Sequence, residues 1–146
     1  MSNEKDLRII RCLRSDARKT LATIAREAGI PQSTVYDRIR KSEKTHIKKH
    51  TSLVDFSSLG YKIRVQLLAK ANDKRIFRKF IEEHGNVNSA FRIDGEYDFF
   101  MDCVFASMKD LNEFNDEINA RTSERSIFYV IDEIKLEDFL NGGLEG

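Results

Sequence analysis

Apolar side chains return at every third or fourth position along the first forty-odd residues, and from Tyr61 onward the period shortens to two. Leu7, Ile10 and Leu13, widened by Ile9, mark a first helix that Ser2 or Asn3 would cap. A second opens at Thr20, sets Leu21, Ile24, Ala25 and Ala28 on one face and ends at Gly29, since glycine reaches the left-handed conformation at little steric cost. Pro31 opens a third with Val35 and Ile39 inward, because the amide hydrogen that proline lacks has no partner in a first helical turn. Small Ala25, the corner at Gly29 and the branched Ile30 and Val35 together give the spacing of a helix-turn-helix.

The two-residue period places Ile63, Val65, Leu67 and Ala69 opposite Lys62, Arg64, Gln66 and Lys70, which predicts a strand. A helix striped by Ile76, Phe77, Phe80 and Ile81 follows and is expected to close at Gly85. "VNSAFRIDGEYDFFMDCVFAS" reads as two strands joined by a tight turn at Asp94 and Gly95. Ser107 caps another helix, with Asp110 at the capping-box position and Met108, Leu111, Phe114 and Ile118 inward. "SIFYVIDEIK" is the last strand. The order β-α-β-β-α-β predicts a ferredoxin-like domain whose antiparallel sheet carries both helices on one face.

The expected class is therefore α+β. A helix-turn-helix (winged-helix-like) domain occupies residues 1–50, a linker 51–61, the ferredoxin-like domain 62–140 and a tail 141–146. The third and fourth strands are apolar on both faces, with Phe99, Met101, Cys103 and Phe105 against Phe100 and Val104, and Ile127, Tyr129 and Ile131 against Phe128 and Val130. An apolar second face calls for a cover, and two copies related by a two-fold axis supply it, so a homodimer is expected.

Charge separates the halves. The formal net charge is only +1, yet residues 1–50 carry thirteen Lys and Arg against six Asp and Glu, and residues 51–146 carry twelve against eighteen. A basic unit of +7 facing a polyanion is thus joined to an acidic unit of −6. On the third helix, Gln32, Ser33, Tyr36, Asp37, Arg40, Lys41 and Lys44 point away from Val35 and Ile39, with Arg38 on the flank. Gln, Ser and Arg hydrogen-bond base edges, while Lys, Thr34 and the Tyr36 hydroxyl hold phosphates, so double-stranded DNA is the expected partner.

Other chemistries find little support. His46 and His50 have the spacing of paired metal ligands but lack a nearby third, and among Lys44, Lys48 and Lys49 they read as phosphate-facing or solvated residues, so neither metal nor cofactor is expected. Phosphate-binding glycine loops and serine elbows are absent from the sequence, which leaves a ferredoxin-like enzyme a weak reading. An architectural DNA-binding protein without effector response is the stronger alternative to a gene regulator. Cys12 and Cys103 fall within apolar patterns and read as buried thiols in a reducing cytoplasm. The longest hydrophobic runs are far short of the ~18 to 20 residues a membrane span needs, and the chain opens on no leader pattern.

"DLRIIRCLRSDAR", "LATIAREAGIPQSTVYDRIRK" and "FRIDGEYDFFMDCV" together resemble the leucine-responsive regulatory protein/AsnC family, with Gly95, Tyr97 and Asp98 matching its G-x-[YF]-D turn. The resemblance implies a dimeric transcription regulator that commonly assembles into octamers and binds amino acids or related small molecules near the sheet-domain turns. Gly95, Tyr97, Asp98 and Ser126 are the implied effector positions. Two stretches depart from the family pattern. "KSEKTHIKKHTSL" lacks the glycine expected after the third helix, and "NARTSERS" replaces the proline-glycine-valine type of turn before the last strand.

Overall fold

The computed structural model describes residues 4–141. The chain forms two compact units, Met1–Leu53 with Ile134–Gly146, and Val54–Glu133.

In the first unit, α1 (Glu4–Ser15), α2 (Leu21–Ala28) and α3 (Gln32–Ser42) enclose Ile9, Cys12, Ile24, Ala28, Ile30 and Val35. The α1 stripe centres on Ile9 and Cys12 instead of Leu7, Ile10 and Leu13; Leu7 is exposed. Five apolar positions on three turns allow either centring, and packing against the other helices selects the Ile9 side. The cap expected at Ser2 or Asn3 lies outside the described residues. Thr20 caps α2 as expected, its side chain accepting the Thr23 amide hydrogen, and Gly29 turns the chain at φ 67°. Pro31 stands just ahead of α3 with its carbonyl accepting from the Val35 amide.

Among the described residues no strand precedes Ile63; α3 is followed by turns at residues 43–46 and irregular chain. Residues 134–141, which the periodicity assigns to the second domain and tail, group with the first unit. Arg14 holds them there by donating to the carbonyls of Phe139 (2.9 Å) and Glu137 (2.8 Å).

The second unit contains β1 (Ile63–Ala71), α4 (Lys74–Glu83), β2 (Val87–Arg92), β3 (Phe99–Phe105), α5 (Met108–Asn119) and β4 (Thr122–Tyr129). The antiparallel sheet has the order β2-β3-β1-β4, as the ferredoxin-like reading requires. Val65, Leu67 and Ala69 pair with Cys103, Met101 and Phe99, and this face closes over Phe77 and Ile81 of α4 and Leu111, Phe114 and Ile118 of α5.

Four local expectations are corrected. Ile76 is 59% exposed and Met108 49%, because Phe77 with Ile81 and Leu111 with Phe114 and Ile118 already fill the inward face of each helix. Helix α4 ends at Glu83 and is followed by an extended His84, so Gly85 is not its left-handed cap. The β2–β3 connection runs through residues 93–98 rather than turning tightly at Asp94 and Gly95, since Asp98 donates its amide to Ala69 O (2.9 Å) on β1 while its own carbonyl accepts from Ile93 (2.8 Å). Finally, β4 begins at Thr122, where "NARTSERS" suggested a turn, and ends at Tyr129, leaving Ile131 97% exposed.

The two glycine corners make a discriminating pair. At Gly29 the positive φ strains any residue with a Cβ, although space is open, whereas Gly85 has an ordinary φ and equally open surroundings. Gly29→Ala should lower unfolding free energy by about 1 kcal/mol in urea titration. Gly85→Ala should change it by less than about 0.5 kcal/mol or raise it slightly.

Candidate functional site

Packing of Val35 against the other two helices fixes the rotation of α3, and that rotation decides what the helix shows. Gln32, Ser33, Tyr36, Asp37, Arg40 and Lys41 are exposed and Thr34 is half-buried. The Arg40 guanidinium lies 5.9 Å from the Tyr36 ring centre, so aromatic and cation form one surface. Arg38 is placed differently. Its guanidinium donates to Asp6 of α1 at 2.9 Å, drawing the side chain away from the exposed row and clamping α3 to α1. A depression of about 260 Å³ at this flank is lined by Thr34, Asp37, Arg38, Lys41, Thr45 and His46, among others.

The four positions implied for an effector do not form one cluster of free groups. Tyr97 and Ser126 meet through their hydroxyls at 2.9 Å. Asp98 is engaged in bracing the sheet: one carboxylate oxygen accepts the Ala71 amide hydrogen (3.0 Å) and the other faces Lys74 at 3.6 Å. Gly95, at φ 148°, lies at the exposed bend of the connection. An open depression of about 590 Å³ lies beside Tyr97 and is lined by Asn115, Ser123, Glu124, Arg125 and Ile127. Arg125 is oriented there by two neutral amides, donating to Asn115 Oδ1 (3.1 Å) and to Asn119 Oδ1.

The sheet face opposite α4 and α5 has exposed Phe91 and Phe128 and half-buried Leu68, Phe100 and Val104. At its centre Arg64 donates two parallel hydrogen bonds, of 2.8 and 2.7 Å, to the two carboxylate oxygens of Asp102, itself only 5% exposed. Asn88 donates to the same carboxylate at 3.0 Å from the irregularity that interrupts β2 pairing. Glu133 lies 3.3 Å from Arg64, and the Phe56 ring centre 5.7 Å from its guanidinium carbon.

Residues 3–41 match the model of the AsnC-type helix-turn-helix domain, and residues 63–138 that of the Lrp/AsnC ligand binding domain. The chain belongs to the Lrp/AsnC family. It is a transcription regulator with a DNA-binding helix-turn-helix and a ligand-binding domain. An HTH-type transcriptional regulator of Pyrococcus abyssi is 29% identical over 143 residues, covering 95% of this chain and 97% of the relative. Another, of Pyrococcus furiosus, is 32% identical over 118 residues, covering 78% and 79%. The fold matches LrpC of Bacillus subtilis with a TM-score of 0.83 at 22% identity, covering 92% and 98% of the two chains. It also matches a Neisseria meningitidis transcriptional regulator in complex with L-Met, with a TM-score of 0.83 at 17% identity, covering 93% and 94%.

As an Lrp/AsnC chain it carries two features that periodicity alone passes over. Asp102 interrupts an apolar strand and is a signal for a buried pair, because a carboxylate between Met101 and Cys103 needs a cation; Arg64, on the adjacent strand, is that cation. Hydrogen bonding to Asp102 raises the Arg64 pKa further. Arg125, next to the predicted Ser126, has no pattern that announces it. Among the described residues no group of three or more His, Cys, Asp and Glu is placed to hold a metal, and no helix is long and apolar enough to cross a membrane.

Burial, reinforced by the Asp102 charge, pushes the Cys103 thiol from its usual 9.0 up to about 12. The folded chain keeps this proton where the unfolded chain releases it, so the stabilisation is complete below pH 9 and is lost as pH rises toward 12. Removing the neighbouring carboxylate acts on the buried pair itself. Asp102→Ala leaves the Arg64 charge half-buried and stripped of its bidentate partner, and should lower unfolding free energy by about 3 kcal/mol in guanidinium titration, toward the low end of effects seen on breaking buried pairs.

Proposed function

We propose that this regulator works as a homodimer that reads double-stranded DNA with the exposed face of α3 and answers to an amino-acid-like effector. The observation that carries the DNA reading is the segregation on α3: Val35 inward, and Gln32, Ser33, Tyr36, Arg40 and Lys41 outward with one exposed carboxylate, Asp37, among them. Gln32 and Ser33 sit in the first turn, the part of a groove-bound helix nearest the bases. Arg38 supports this surface from behind through Asp6.

The apolar sheet face supports dimerisation. Phe91, Phe100 and Phe128 favour removal from water, and the Arg64–Asp102 pair, already satisfied within one chain, can be covered without stranding a charge. An amino acid is a zwitterion, and the depression beside Tyr97 supplies Arg125 for its carboxylate and Glu124 for its ammonium group. Tyr97 lines it and meets the Ser126 hydroxyl, while Asp98 braces the adjoining connection in which Gly95 lies. The L-Met complex of the Neisseria protein supports this class of ligand. Higher assembly, such as an octamer, would join dimers near this region, and the working compartment is the DNA-containing cytoplasm.

Fluorescence anisotropy with a duplex chosen by selection from random DNA tests the first claim. Tyr36→Ala and Arg40→Ala should each fold normally, and removal of a base-reading group should weaken binding by about 1 to 3 kcal/mol and relax preference at one position. Full affinity in both variants would contradict the assignment of this face. Light scattering should give a dimer or a multiple of it at micromolar concentration; a 16.9 kDa species alone would refute the sheet interface. Calorimetry against the amino acids should show a ligand whose binding is abolished in Arg125→Ala, whereas equal binding in that variant would move the site elsewhere.

A further inference from the structure

The stretch that departs from the family pattern, "KSEKTHIKKH" at residues 41–50, contains Lys41, Lys44, Lys48, Lys49, His46 and His50 against one carboxylate, Glu43. A glycine cap would ordinarily release the chain at such a helix end. Here the Ser42 carbonyl replaces it, accepting amide hydrogens from Thr45 (3.0 Å), His46 (2.8 Å) and Ile47 (2.8 Å), while the Thr45 hydroxyl donates to Lys41 O at 3.2 Å. Ser42 itself is buried. Residues 45–47 are thereby turned against the end of α3, which sets where the basic segment leaves the helix.

Three observations give that course a direction. Thr45 and His46 line the same depression as Thr34, Asp37 and Lys41, so the segment continues the flank of α3 that carries those residues. Glu43 is 3.1 Å from His50, which occupies the segment's one carboxylate from within. Lys41, Lys44, Lys48 and Lys49 are exposed and belong to none of the ion pairs formed among the described residues. Beyond Lys41 at the end of the groove-reading helix, the three ammonium groups of Lys44, Lys48 and Lys49 match the sugar-phosphate backbone in charge and, as point charges on flexible stems, carry no base preference.

We propose that residues 43–50, immediately after α3, form a second DNA-binding surface that grips backbone phosphates beside the groove and supplies sequence-independent affinity. This rests on the reading of α3 as the groove helix. It assigns the segment after α3 a role in binding in addition to that of a connector. Base selection stays with α3, and the segment raises affinity for every duplex alike.

The test compares the full-length protein with K44Q/K48Q/K49Q, using the selected duplex and a scrambled one across a salt series. A matched control, K62Q/K79Q/K109Q, removes the same charge from exposed positions of the sheet unit. For K44Q/K48Q/K49Q the slope of log K against log salt should become shallower by about 0.9 for each phosphate no longer neutralised, and both duplexes should weaken by the same factor. The control should keep the parent slope. An unchanged slope in K44Q/K48Q/K49Q, an equal change in the control, or weakening confined to the selected duplex would each overturn the proposal. Arg40→Ala in the same series separates the two readings: reduced preference in that variant with a parental slope in K44Q/K48Q/K49Q removes the second surface and leaves α3 standing, while absence of any DNA binding by the parent protein removes both.

Discussion

A β-sheet has two faces, and in the second unit α4 and α5 cover only one of them. Much of the unit follows from that imbalance. The alternation that sends Val65, Leu67 and Ala69 under the helices sends Arg64, Gln66 and Leu68 to the opposite face, where β3 contributes Phe100, Asp102 and Val104. Apolar rings there favour a partner surface, but a carboxylate amid them would be costly alone. Bidentate pairing with Arg64 and a third hydrogen bond from Asn88 satisfy it. The pair also links β1 to β3 side by side and reaches β2, so three of the four strands share one polar junction. Register and the make-up of the open face are therefore coupled: a slip by one residue would turn Arg64 under the helices and Val65 and Leu67 onto the open face.

The first unit solves a smaller problem by the same logic. Three short helices cannot each bury much surface, so Ile9, Ile24, Ile30 and Val35 converge on one point. Convergence fixes the rotation of α3, and Arg38 reinforces it by reaching Asp6. Exposed chemistry on the far side is then presented by a rigid support, as reading a groove demands. Arg14 adds a second attachment by holding residues 137 and 139, so this unit is built from both ends of the chain.

The change of period at Tyr61, the order of elements, the Thr20, Gly29 and Ser107 signals and the inward choice of Val35, Phe114 and Ile118 were all legible in the sequence. Each is a local property, set by spacing or by backbone preference. What escaped was set by neighbours distant in sequence. Ile76 and Met108 look like stripe residues until adjoining elements define which arc of each helix is covered. Asp94 and Gly95 favour a tight turn locally, yet the Asp98 amide must reach Ala69, and this tertiary bond accompanies a longer connection. Strand β4 could not be located from "TSER", which is polar because a sheet edge tolerates solvent. The candidate DNA surface was readable because exposed helix positions follow from buried ones; the Arg125 depression was not, because it depends on α5 lying beside β4.

Chemical-shift mapping of the isotopically labelled protein on addition of a short duplex addresses the central claim, that α3 is the element that enters DNA. The account predicts the largest amide shifts at Gln32, Ser33, Tyr36, Arg40 and Lys41, with those of β1 to β4 largely unmoved. Shifts concentrated on the sheet unit, with α3 unperturbed at saturation, would contradict it.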